Sequence, residues 1–188
     1  MRDTPLCFFF GTVKLLTGFP PVLLCTLILI GLPFFFIGGP GYHAARSFIA
    51  AWDLGHVFFF TIATTWVLMQ FRNKLAAIPP TRLFPMIFLG VLVSGTLLEL
   101  LQMWSGGRDP DPEDVLRNQL GCLTALALCA GPGGYAIPGP WRRLLRVSVV
   151  FMLAITAWPL ARSVVDEQMA ARQFPILADF ETPFERYR

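Results

Sequence analysis

Apolar residues run almost unbroken through several stretches of this chain, and short connections rich in Gly, Pro and Arg separate them. Five stretches are long enough to read as membrane helices: 21–38 (with the apolar 6–13 upstream), 54–71, 84–104, about 119–137, and 144–161. The fourth is the weakest, because the glycines of 131–134 and Pro138 shorten or break its inner end. The pattern predicts an all-α fold, a polytopic membrane helix bundle with about five transmembrane helices. It divides into a membrane domain over 1–163 and an extramembrane tail over 164–188, whose 174–183 stretch reads as extended. A tail that short does not make a domain of its own.

Composition agrees with lipid as the solvent. Of 188 residues, 55% are hydrophobic and only 14% charged, too few charges to cover a water-soluble domain of this length. The net charge of +3 comes without a basic block interleaved with aromatics, which excludes nucleic acid as a partner and leaves membrane lipids. The run 21–38 exceeds a signal-peptide core and no cleavage-type small-residue motif follows it, so an uncleaved first span is expected. Cys7, Cys25, Cys122 and Cys129 lie in apolar surroundings without metal-ligand spacing and read as packing residues.

Charge sets a direction. Arg2, Lys14, Arg72, Lys74, Arg82, Arg142, Arg143 and Arg146 fall on one side of an odd-spanning bundle, and Arg46, Arg108, Arg117 and Arg162 on the other. The positive-inside bias then puts the N-terminus in the cytoplasm and the C-terminus outside, in a multi-pass protein of the plasma membrane.

Within that topology the unusual polar residues converge on the outer face. Asp53 opens the second span and His56 lies a turn in. Glu99 sits roughly 7–8 Å below Trp104 at 1.5 Å rise per residue, with Gln102 on its face. Beyond it, Arg108 and the acids of 109–114 form an external loop whose acids start a helix near Glu113, and Asp114, Asn118 and Gly121 share one face of that helix. An ionisable group inside a span costs on the order of 2.5–3.5 kcal/mol at the bilayer centre. Glu99 should therefore face the bundle interior, with Arg108 or His56 as its partner. His56 and Glu99 are the candidate acid/base residues; Asp53, Gln102, Arg108, Asp114 and Asn118 are the candidate ligand contacts. The bland alternative is a buried polar network that only fixes helix register. No metal and no cofactor are expected, since one His is too few for a typical zinc site and the acidic loop lacks EF-hand spacing. Polar groups crowded at one face, over an inner half nearly free of ionisable residues, argue against a transport path.

The set Asp53, His56, Glu99, Gln102, Arg108, Asp114, Asn118 and Gly121 resembles the VanZ-like family over roughly residues 20–162. Leu54 departs from the pattern, since members often carry Lys there. The resemblance implies a bacterial envelope protein, some members being linked to teicoplanin resistance. It leads to the expectation of an outward-facing pocket for a lipid-linked or glycosylated envelope ligand or a glycopeptide. A membrane enzyme acting on a lipid-linked or phosphorylated substrate is the competing expectation.

Overall fold

The computed structural model describes residues 20–37, 39–41, 43–75, 77–105, 111–130 and 137–173. Its regular elements are helices: α1 (Pro21–Gly31), α2 (Arg46–Gln70), the single turn α3 (Arg72–Leu75), α4 (Pro80–Ser105), α5 (Pro112–Cys129) and α6 (Gly139–Gln173). Three of them, α2, α4 and α6, are long and apolar enough to cross a membrane. α1 is shorter than the expected first span. Pro33 denies it a backbone donor, and the chain tightens into a 3-10 turn over Leu32–Phe35.

The long helices are built inside out relative to a water-soluble bundle. On α4, Leu89, Val93, Leu97, Leu101 and Trp104 form an exposed stripe at helical spacing, while Gly95, Leu98, Glu99 and Gln102 are buried on the opposite face. On α6, Leu144, Val147, Phe151, Ile155 and Trp158 are likewise exposed. A soluble monomer rarely shows apolar surface on this scale, whereas acyl chains solvate it well.

α5 organises the rest. It begins at Pro112, as the acids near Glu113 lead one to expect and ahead of the apolar run from 119, and it ends at Cys129, short of the expected 137. Asp111 caps it, its Oδ1 accepting from the Glu113 backbone N–H at 2.9 Å, and Glu113 and Asp114 sit in the first turn, where the helix dipole favours acids. It is the most thoroughly buried helix although it carries a polar first half. It packs most extensively against α2, then against α4 and α6. The α2–α5 crossing needs a residue without a side chain at 121. A Cβ on Gly121 would lie 2.6 Å from the Val57 carbonyl oxygen and 2.9 Å from the Phe60 Cβ. Thr61 on α2 uses the proximity, its hydroxyl donating to the carbonyls of Val57 at 2.7 Å and Gly121 at 3.2 Å.

The two ends of the bundle differ in chemistry. Leu68, Leu75, Leu83, Cys122 and Leu126 make a dry core toward the α2–α4 connection. At that end Arg146 donates to the carbonyls of Ala127 at 3.2 Å and Ala130 at 2.8 Å, satisfying the C-terminal turn of α5. The other end gathers the start of α2, the end of α4 and the start of α5, and it holds the polar residues.

α6 reaches beyond the expected fifth span. Instead of ending near residue 161 it continues unbroken to Gln173, through Pro159 and past the proposed start of the tail at 164. Its 35 residues span about 52 Å, more than a bilayer core requires. The apolar run ends at Ala161, and the charged part of the same helix beyond it meets the start of α2. The N-cap of α2, Ala45, has no side chain to offer. Glu167 supplies the cap from α6, accepting from the Ser47 backbone N–H at 2.9 Å and the Ser47 hydroxyl at 2.5 Å, and Asp166 lies 4.0 Å from Arg46. The stretch 174–183, expected to be extended, lies outside the described residues.

Two outcomes test this packing. Gly121→Val should lower stability by roughly 1–3 kcal/mol through overpacking, read as a lower melting temperature in detergent, while Gly90→Ala, with nothing near its Cβ, should not lower it. The Ser47 hydroxyl, and after it the Ser47 N–H, hold the Glu167 carboxyl below its ordinary pKa. That contact stabilises the fold above the normal glutamate range and is lost as pH falls through the depressed value. Glu167→Gln should melt below wild type at pH 7, and the two melting curves should converge in strongly acidic buffer.

Candidate functional site

Asp114 is fully buried and holds two partners at once. Its Oδ2 lies 3.3 Å from His56 Nε2, and its Oδ1 accepts from Arg117. α5 makes this possible because Asp114 and Arg117 are one turn apart on it. His56 comes from α2, 3% exposed, and its Nδ1 lies 3.0 Å from Asn118 Oδ1 on the next turn of α5. Asn118 is itself fully buried, its amide pressed against Gly95 of α4, where a Cβ would sit 2.9 Å from Nδ2. The imidazole thus bridges two successive turns of α5.

That placement constrains the ring. Both nitrogens face an oxygen, and a neutral imidazole has only one N–H to donate. Either the ring is an imidazolium, or the Asn118 amide is turned over to donate from Nδ2, or a cation stands between Nε2 and the carboxylate. Phe35 closes one side, edge-on to His56 with ring centroids 4.8 Å apart.

α4 brings Glu99 and Gln102, both buried. Glu99 Oε2 accepts a long 3.4 Å bond from the Asp111 backbone N–H, and Gln102 Nε2 donates to the Phe35 carbonyl at 2.8 Å, tying α4 to the turn after α1. His56, Glu99 and Asp114 each present a ligand atom, and these atoms lie within 4.8 Å of one another. The expectation of no metal weighed the single histidine and the acidic loop's lack of EF-hand spacing, whereas the fold sets two carboxylates from separate helices beside that histidine.

Asp53 sits two turns into α2 rather than at its start, because the helix begins at Arg46. Its Oδ2 lies 3.6 Å from Arg117 Nη2. Arg117 is the residue that sequence reasoning missed. It reaches Asp114, Asp111 at 3.5 Å, Glu113 at 2.8 Å and Asp53, drawing the rim of the site around one guanidinium. A signal for it existed, since it falls three and four residues after Asp114 and Glu113 on one helical face. Arg108, the expected partner of Glu99, lies outside the described residues.

Beside the cluster is an apolar cavity of about 400 Å³ between α1 and α2, open on one side. Phe34, Phe35, Trp52, Gly55, Phe59 and Ile62 are among its walls, and His56 is the ionisable residue on its lining. No protein-family model, curated protein or solved structure matches the chain.

Removing Arg117 would leave Asp114 buried without its guanidinium. Arg117→Ala should cost about 3 kcal/mol, toward the low end for stripping one partner from a buried pair, measured by unfolding in mixed micelles. Glu113 is 71% exposed, and Glu113→Gln should stay within about 0.5 kcal/mol of wild type.

Proposed function

We propose that this chain is a VanZ-like protein of the bacterial plasma membrane that binds a lipid-linked envelope component. Its polar head would sit at the His56–Asp114–Asn118 cluster and its hydrocarbon tail in the cavity between α1 and α2. One observation carries the reading: His56 belongs both to the buried polar cluster and to the wall of the apolar cavity. A ligand with a polar head and a greasy tail meets both surfaces, while a free sugar or a plain hydrocarbon meets only one.

In this reading α1 and α5 complete five membrane-embedded helices, with the N-terminus inside and the polar end facing out. The basic residues Arg72, Lys74, Arg82, Arg142, Arg143 and Arg146 supply the cytoplasmic side. Glu99 and Gln102 line the head-group pocket, Asp53 and Arg117 brace its rim, and Arg108 holds an anionic group of the ligand. Sequestering or displaying such a component would contribute to envelope integrity and to resistance against glycopeptides such as teicoplanin.

Binding is favoured over acid/base catalysis by His56, because both of its ring nitrogens are engaged, one by Asp114 and one by Asn118. A general base needs one nitrogen within reach of the proton it takes.

Gly55 offers a clean test, since nothing lies within 4 Å of its Cβ position and it lines the cavity. Gly55→Leu should fill the cavity while the helix stays intact. Purified in native nanodiscs, the wild type should carry a polyprenyl or acyl lipid enriched over the surrounding bilayer, and Gly55→Leu should lose at least tenfold of it by mass spectrometry. Identical lipid in both, at bulk composition, would discard the proposal.

A further inference from the structure

We propose that His56, Glu99 and Asp114 form a binding site for one divalent transition-metal ion of the Zn²⁺ or Mn²⁺ kind. The residues come from three different helices, α2, α4 and α5, and are 3%, 4% and 0% exposed. Their ligand atoms lie within 4.8 Å of one another. Bonds of about 2.0–2.2 Å to nitrogen and oxygen require donors roughly 3–4 Å apart, so small side-chain adjustments close the site.

The neighbours of the three residues are those a metal site uses. A metal-bound imidazole fixes its tautomer by donating its other N–H to an oxygen, and Asn118 Oδ1 stands 3.0 Å from Nδ1. With that N–H in place, the Nε2 lone pair faces the Asp114 carboxylate at 3.3 Å. Two lone pairs at that distance call for a cation between them, and the second carboxylate, Glu99, favours a doubly charged ion over a proton. Arg117 holds the other oxygen of Asp114 and orients it. Gln102 Oε1, one turn from Glu99 on the same face of α4, is buried with no hydrogen-bond partner among the described residues, which offers a fourth donor and a third oxygen. One imidazole with a few oxygens suits Zn²⁺ or Mn²⁺. Ca²⁺ takes six to eight oxygens and Mg²⁺ keeps much of its water.

The metal alone is the probe, so the result stands whether or not the cavity holds a lipid. Full-length protein without a polyhistidine tag, stripped with chelator in detergent, should bind Zn²⁺ at one site per chain by calorimetry. Zn²⁺ should bind at least tenfold tighter than Mg²⁺ or Ca²⁺, and affinity should weaken in acid as protons compete for the ligands. His56→Gln and Glu99→Gln should each lower affinity at least tenfold, with Gly90→Ala, which has nothing within 4 Å of its Cβ position, unchanged. X-ray absorption of the wild-type zinc complex should show nitrogen and oxygen donors without sulfur, a readout that does not rely on any variant folding. Absence of stoichiometric Zn²⁺ and Mn²⁺ binding, binding that survives both substitutions in folded protein, or sulfur in the first shell would each overturn the proposal.

Discussion

A helix bearing buried Asp114 and Asn118 needs other helices around it, and this constraint governs the architecture. Exposed to acyl chains, the polar half of α5 would face no compensating groups. Enclosed by α2, α4 and α6, it needs no lipid-facing apolar run, and its residues are free to be polar, small or both. Gly121 lets α2 approach closely enough for His56 to reach both Asp114 and Asn118. The apolar stripes of α4 and α6 are the outer surface of the same arrangement.

Asp114 sits at the centre of the electrostatics. A fully buried carboxylate is tolerated where positive charge and hydrogen-bond donors meet it, and Arg117 contributes the first of these from its own helix. The guanidinium then extends outward to Asp53, Asp111 and Glu113, grading the site from a dry interior to a wet rim. The N-cap of α5 belongs to the same system, since Asp111 both caps the helix and places its backbone N–H toward Glu99. Helix initiation and site assembly therefore depend on one another.

Much of the site was legible because membrane burial penalises polar residues that have no task. Glu99 and Gln102 at a spacing of three, and Asp114, Asn118 and Gly121 at helical spacing, can be placed on inward faces without coordinates. Helix ends were less legible. The start of α5 near Glu113 can be read from its acids and prolines, but hydropathy alone marks only the apolar run from 119, because α5 meets mostly protein. α6 runs past 161 for a related reason, as its charged extension is held by Ser47 and Arg46 on α2. Such a contact between distant residues leaves no local signal. Arg117 pairs with Glu113 and Asp114 on its own helix, which spacing reveals, but its reach to Asp53 emerges only when α2 and α5 cross.

The position of His56 links interior to surface. A residue wholly inside the polar cluster would serve rigidity alone, and one wholly on the cavity wall would meet hydrocarbon without a polar partner. His56 does neither, since its two nitrogens face α5 while the residue lines the cavity formed with α1. Phe35 stacks edge-on against it, and the carbonyl of Phe35 accepts from Gln102. Movement of the turn after α1 would therefore disturb the polar cluster from two directions, through the ring and through the amide. The apolar cavity and the charged cluster thus meet at one aromatic residue, whose ring faces His56 and whose carbonyl holds Gln102.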